Sequence, residues 1–159
     1  MIEQTLILVK PDGVKRGLIG EVISRFENRG MKIVGIKMVK VDPDFSKKHY
    51  AMHVGKGFYA GLEKFITSGP VVAMTVEGVH AVEVVRKIVG STEPKDAAVG
   101  TIRGDFAHTS NDYSDEKKKA TENLIHASGN LKEAQQEVAL WFSIDELHSY
   151  KISQEDHVM

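Results

Sequence analysis

Along its first 90 positions the chain switches its apolar period between two and about 3.6 residues, and nearly every switch falls at a glycine or proline. "TLILVK" is a short β-prone run stopped by Pro11-Asp12-Gly13, which predicts a strand entering a tight turn with Lys10 at its exit. From Leu18 to Asn28, Ile19, Val22, Ile23 and Phe26 return at helical steps, and Gly30 closes the pattern. "MKIVGIKMVKV" then alternates, setting Met31 and Ile33 against Lys32, Lys37 and Lys40, as a half-buried strand does. Asp42-Pro43 opens a further helix, and "YAGLEKFITSG" forms a second helical piece ending at Gly69. "PVVAMTV" predicts the third strand and "VHAVEVVRKIVG" a helix closed by Gly90.

After Gly90 the periodicity fails over a stretch too long for a simple connector, and long loops tend to carry function. Order resumes at "LIHASG", with a helix from about Leu131 to Glu137, "VALWFS" as a fourth strand and a polar tail from about 150 to 159. These elements predict one α+β domain over 1–159, a ferredoxin-like sandwich in which a four-stranded antiparallel sheet carries two helices on one side. Neither a repeat nor a linker interrupts it.

Composition narrows the chemistry. A hydrophobic content of 42% over 159 residues is enough for a core, and a net charge of −1 lacks the basic excess of a dedicated nucleic-acid binder. With no cysteine, disulfides, thiolate nucleophiles and Cys-bound zinc are all excluded, and a histidine, carboxylate or hydroxyl must supply any nucleophile. "LILV" is far too short for a membrane span or signal core, so a cytoplasmic location without membrane association is expected.

Several local patterns mislead. "GKGFYAG" has its third glycine one place late for a dinucleotide fingerprint, and "GVKRGLIG" lacks the Gly-Lys-Ser/Thr ending of a P-loop. His49 and His53 are spaced to share a metal on a helix, but Tyr50 stands where a metalloprotease has its glutamate, so a helix surface is the expectation. Lys117 to Lys119, beside Asp115 and Glu116, read as a solvated face.

Lys10, Arg86, Thr92, Arg103 and Asn123 sit at or beyond the ends of predicted elements. Taken with "KPDGVKRGLIGEVI", "SGPVVAM", "TIRGDF" and "NLIHAS" followed by "EVALWF", their order closely resembles the nucleoside diphosphate kinases, from about Thr5 to Tyr150. The resemblance implies transfer of the γ-phosphate of a nucleoside triphosphate, usually ATP, to a nucleoside diphosphate in two half-reactions through a phosphohistidine. His126, in the pattern Asn-Leu-Ile-His, matches the nucleophile, and a neutral imidazole nitrogen is a competent one near neutral pH. By the same resemblance, Lys10 meets phosphate and the ribose 3′-hydroxyl. Arg86, Thr92 and Arg103 hold the β- and γ-phosphates, with His53 near phosphate, and Asn123 is the second contact to the 3′-hydroxyl. Phe58 is the platform for the base and Leu62 its apolar neighbour, which implies tolerance of ATP, GTP, CTP, UTP and their deoxy forms. Glu137 accepts a hydrogen bond from the other ring nitrogen, and Tyr50 and Ser128 complete the cage. Mg2+ is implied as the cofactor, arriving on the nucleotide's phosphates without protein ligands, and the assembly as a homo-hexamer rather than a tetramer.

The chain departs from the family at Ala127 and Gly129, where most members carry glycine and aspartate, and at Lys56, where arginine is common. It is also longer between Phe106 and Asn123, in a polar stretch that reads as a surface excursion. A non-catalytic nucleotide- or RNA-binding α+β module is the other reading, but Phe58 and Tyr59 lie outside any predicted strand, where such modules stack bases.

Overall fold

The apolar and polar alternation of the strands is resolved by a sheet buried on both faces. A computed structural model describes residues 1–159. In chain order, β1 is Ile2–Val9, α1 Pro11–Lys15, α2 Ile19–Glu27, β2 Lys32–Lys40, α3 Pro43–His49, α4 Tyr59–Ile66, β3 Pro70–Val79 and α5 Ala81–Val89. There follow α6 at Ile102–Phe106, α7 at Asn111–Glu116, β4 at Ile125–Ala127, α8 at Leu131–Trp141 and α9 at Glu155–Val158. The strands form one antiparallel sheet in the order β2-β3-β1-β4.

Because side chains alternate across a strand, β1 and β3 feed two cores. Ile7, Val9, Val72, Met74 and Val76 pack with Val22 and Phe26 of α2 and Ala81, Val85 and Val89 of α5. Leu6, Leu8, Val71 and Ala73 pack on the opposite face with Tyr50, Ile66, Val138, Trp141 and Phe142. Helices thus cover both faces, where the sequence predicted one; the continuous apolar runs of β1 and β3 are the signature of strands buried on both sides. Each core is well filled: Phe26 and Ile66 are essentially inaccessible. Truncating an aromatic such as Phe26 to alanine costs about 3–5 kcal/mol.

Four local expectations need correction. "VALWFS" is not a strand: Val138 to Trp141 complete α8, which buries Ala134, Val138 and Trp141 along one stripe, and the fourth strand is the three-residue β4. Pro11-Asp12-Gly13 opens the short helix α1 instead of a tight turn, since Pro at N1 is already preorganised for a helix. Beyond Gly90 the structure contains α6 and α7, with the 107–122 excursion largely at the surface. In β2 a bulge between Ile33 and Gly35 resets the alternation, and Lys32 turns inward to pair with Glu77 and Glu155, each at 3.2 Å. The Asp42 signal holds: its Oδ1 accepts from the Phe45 N–H at 2.8 Å and caps α3. Lys117 and Lys119 are exposed and paired with Glu116 and Glu122, as a solvated face should be.

Candidate active site

β4 is short, and its position depends on contacts remote in sequence. It pairs with β1 in the register Leu8 to His126, so the His126 side chain points to the same face as Leu8, towards α8 and α3. The preceding residue but one, Leu124, has φ +71°, a left-handed conformation unusual for a leucine. It is held by the residues after β1: the Lys10 N–H donates to the Leu124 carbonyl at 2.8 Å, and Asp12 Oδ2 accepts from the Leu124 N–H at 3.0 Å. Gly13 leaves room for this, because a Cβ there would stand 3.0 Å from the Leu124 carbonyl oxygen and 2.8 Å from Val9. Burial raises the Asp12 carboxyl above its ordinary range despite that hydrogen bond and the nearby Lys10 ammonium.

Behind the imidazole, Glu137 of α8 places both carboxylate oxygens 3.0 Å from His126 Nε2. Ser128 Oγ donates to Glu137 Oε2 at 2.6 Å while accepting from the Leu6 N–H at 3.3 Å. Burial opposes ionisation of Glu137, but the hydrogen bonds and charge of its neighbours prevail and hold its carboxyl below the ordinary range. An ionised carboxylate can only accept, so Nε2 carries the ring proton and Nδ1 keeps its lone pair. Ala127 lies in regular strand and Gly129 has no positive φ, so neither departure from the family pattern strains the turn.

In front of the imidazole, Lys10, Arg86, Thr92, Arg103, Asn123 and His126 converge on one cavity of about 130 Å3, closed by Val89, Gly90 and Ala127. A larger hollow of about 620 Å3 between Arg16, Phe106 and Tyr113 is lined by none of these groups. The Lys10 ammonium donates to Asn123 Oδ1 at 2.7 Å, and Asn123 Nδ2 donates to the Thr92 carbonyl at 2.8 Å. Burial, with the Arg103 guanidinium nearby, lowers Lys10 to about 8. Arg103 is lowered to about 10, again first by burial and then by Arg86, and remains cationic at neutral pH. Its guanidinium spends three donors on backbone carbonyls: Nε on Asn123 at 3.1 Å, Nη1 on Gly90 at 3.0 Å and Nη2 on Ile125 at 2.6 Å. Two of its five N–H groups stay available. Arg103 therefore ties the loop after α5 to both sides of Leu124.

Tyr50 is buried beside Glu137, with a hydroxyl lacking a partner and a pKa raised by burial and then by that carboxylate. Half-buried His53 and exposed Phe58 stand next to each other, and His53 also lines the hollow behind His126 with Tyr50 and Glu137. The His53 and Phe58 ring centroids are 5.4 Å apart, and Lys56 Nζ is 3.3 Å from His53 Nδ1. Burial and then the Lys56 charge lower the His53 pKa. Leu62 packs against the second core. These three do not line the small cavity.

Asp12 and His49 escaped the sequence reading. His49 is no helix-surface residue: its side chain is 1% exposed, and α3 ends there, so His53 does not share its helix. Trp141 Nε1–H donates to His49 Nδ1 at 3.1 Å, and the ring stands edge-on to His126 at 4.8 Å. Burial, followed by the nearness of His126, depresses His49 to about 3 and keeps it neutral. A buried histidine four places before a tight His53 turn has no signature in a single sequence, and Asp12 acts across 112 positions.

Comparison with known proteins agrees with this geometry. The family model for nucleoside diphosphate kinase matches residues 3–147. The chain is 51% identical over 149 residues to the nucleoside diphosphate kinase of Pyrococcus furiosus, covering 94% of this chain and 88% of that one. It is 49% identical to that of Thermus thermophilus, covering 92% and 99% respectively. Among solved structures, a transition state mimic of the Borrelia burgdorferi enzyme with bound vanadate and ADP superposes with a TM-score of 0.95 at 47% identity, over 99% of this chain and 96% of that one. The Halobacterium salinarum enzyme in complex with CDP gives 0.87 at 42% identity, over 98% and 97%. A four-stranded antiparallel sheet, a histidine gripped by a carboxylate and the match along nearly the whole sequence lead to one conclusion: the chain belongs to the nucleoside diphosphate kinase family, phosphotransferases acting on nucleotides.

Proposed function

We propose that the chain works as one nucleoside diphosphate kinase domain in which Nδ1 of His126 carries the phosphoryl group between a nucleoside triphosphate and a nucleoside diphosphate. The observation that carries this reading is the grip of Glu137 on Nε2 at 3.0 Å, which leaves Nδ1 the only ring nitrogen with a lone pair. In the first half-reaction Nδ1 attacks the γ-phosphorus, the bond to the β,γ-bridging oxygen breaks, and the nucleoside diphosphate leaves. In the second, a different nucleoside diphosphate attacks the phosphohistidine and the imidazole is restored. The ring becomes cationic once phosphorylated on Nδ1 with Nε2 still protonated, and the Glu137 carboxylate stabilises that charge.

Lys10, Arg86, Arg103 and Thr92 are the phosphate ligands in this reading, and Asn123 and Lys10 face the 3′-hydroxyl. A cavity of about 130 Å3 accommodates terminal phosphates rather than a whole nucleotide. The base then lies outside it, over exposed Phe58 with Leu62 beneath and His53 on the phosphate side, so that base edges go unread and A, G, C, U and T are all accepted. Tyr50 and Ser128 position the Glu137–His126 pair. The family reaction depends on a divalent cation. Since no carboxylate lines the cavity, Mg2+ is held by the nucleotide's phosphates, whose charge it neutralises. We further read the enzyme as a cytoplasmic homo-hexamer. Ile36 and Met38 at the sheet's edge are 52% and 56% exposed, and no helix is long and apolar enough to cross a membrane.

Incubation with γ-labelled ATP and Mg2+ tests the reading. Acid-labile label should appear on the protein, leave on addition of any nucleoside diphosphate, and be absent from His126→Ala. Label that persists in that variant, or does not transfer, overturns it.

A further inference from the structure

His126 stands between two cavities. One is the small cationic cavity in front of it. The other, of about 530 Å3, opens behind it and is lined by His49, His126 and Glu137 together with Lys48, Glu133 and Gln136. At its base, one ligand atom from each of His49, His126 and Glu137 lies within 4.8 Å of the other two. His49 Nδ1 is 3.9 Å from Glu137 Oε1, and His126 Nε2 is 3.0 Å from the same oxygen. A tetrahedral ion with bonds of about 2.0–2.2 Å needs ligand atoms roughly 3.3 Å apart, so small side-chain rotations bring this set into range.

We propose that His49, His126 and Glu137 form an inhibitory site for a borderline divalent cation, Zn2+ in particular, approached from the rear cavity. Two imidazoles and one carboxylate are a nitrogen-rich set that suits Zn2+ and not Mg2+, which prefers oxygen and retains its water. His49 is a neutral ligand as it stands, since Nδ1 already uses its lone pair to accept from Trp141. Its Nε2 is buried without a partner, so no second hydrogen bond locks the ring in place. Glu133 on the cavity wall offsets Lys48, the opposing charge there.

The consequence for the reaction comes from the tautomer. Zn2+ takes the lone pair of His126 Nε2, and the proton that Nε2 carried moves through solvent to Nδ1, leaving the ring neutral and the proton count unchanged. Nδ1 then has an N–H where it had a lone pair, and cannot attack phosphorus. Glu137 exchanges its accepted hydrogen bond for a metal bond, and Trp141 gives up its acceptor. The inhibition rests on Nδ1 being the attacking atom, but the binding does not.

The test is a Zn2+ titration of the nucleotide-free protein labelled with 15N-histidine. Zn2+ should convert the His126 Nδ1 resonance from the unprotonated to the protonated type, with one ion bound per chain by calorimetry, while Mg2+ at the same concentration leaves it unchanged. His49→Phe, which keeps a ring in the core, should weaken Zn2+ binding by at least about tenfold. Preincubation with Zn2+ should stop phosphoenzyme formation from excess ATP–Mg2+, and a chelator should restore it. A His126 ring whose resonances ignore Zn2+, or undiminished affinity in His49→Phe, overturns the site. If Zn2+ shifts Nδ1 as described but phosphorylation proceeds, the site stands and the assignment of Nδ1 as nucleophile fails.

Discussion

Lys10 pits stability against function in one side chain. Its ammonium is buried and its pKa lowered to about 8, so below that pH the folded state carries a charge that the unfolded chain holds more easily. A depression from 10.5 to about 8 corresponds to about 3 kcal/mol of destabilisation. The sign follows from proton counting: between roughly pH 8 and 10.5 the unfolded chain binds a proton that the folded chain has lost, so this contribution to stability rises with pH. Activity runs the other way, since a neutral amine no longer attracts phosphate. We expect kcat/KM to fall as pH rises through about 8, and Lys10→Met to remove that limb. The variant should also be more stable than the parent at neutral pH, by an amount that shrinks towards pH 10. Urea titrations at pH 7 and 10 measure the difference, and a gap that does not shrink would count against burial as the cause. Glu137 makes a second test possible. A glutamine offers only one acceptor oxygen to His126 and Ser128, both of which now donate to the carboxylate. If the amide faces the ring it donates to Nε2 and drives the proton to Nδ1. Glu137→Gln should therefore lower kcat by about 100-fold with little change in KM, the scale expected when a nucleophile is misaligned.

Among the elements, β4 is the one on which the chemistry depends, and at three residues it has little stability of its own. It is set by β1 through the paired register, by Asp12 and Lys10 through Leu124, and by Arg103 through the Asn123 and Ile125 carbonyls. Gly13→Ala probes this directly, because its new Cβ would press on the Leu124 carbonyl oxygen at 3.0 Å. We expect a loss of about 1–3 kcal/mol from the crowding. Single-turnover phosphorylation should slow with it, because Leu124 cannot shift without moving His126. A variant that unfolds more easily yet phosphorylates at the parental rate would separate the two and refute the coupling. The same element marks the boundary of what the sequence disclosed. The motif residues from Lys10 to His126 were legible, as were β1, β3, α2 and α5, whose periods extend over eight or more positions. β4 is shorter than any period can define, and "VALWFS" is ambiguous because its five consecutive apolar residues fit either a strand or a buried helix. Only the wider spacing of Ala134, Val138 and Trp141, behind the Asn130 cap that accepts from the Glu133 N–H at 2.9 Å, decides for a helix. The inward turn of His49 and the backbone clamp of Arg103 arise from long-range packing, which no local pattern encodes.

At the scale of the whole molecule, the sheet has two edges, and they are finished differently. β4 is tied by Arg103, while the start of β2 is covered by the C-terminal segment: the His148 N–H donates to the Val34 carbonyl at 2.7 Å and the Tyr150 hydroxyl to the Ile33 carbonyl at 2.7 Å. Beyond Gly35 that cover ends, and Ile36 and Met38 are 52% and 56% exposed on the last stretch of the strand. A strand edge with apolar side chains invites another chain, and with a net charge of only −1 there is little general repulsion to keep chains apart. If this edge builds the proposed assembly, light scattering should give about six times the 17.6 kDa of one chain, falling to smaller species when Ile36→Lys and Met38→Lys are combined. His126, Glu137 and Lys10 lie across β3 and β1 from this edge, so the dissociated variant should still accept label from ATP on His126. A parental mass of a single chain would remove the assembly from the account. An unchanged mass in the double variant would place the interface elsewhere. Loss of labelling on dissociation would mean that subunit contacts support the cavity, and the loop between Gly90 and Asn123 would then be the first place to look, since Arg103 ties it to β4.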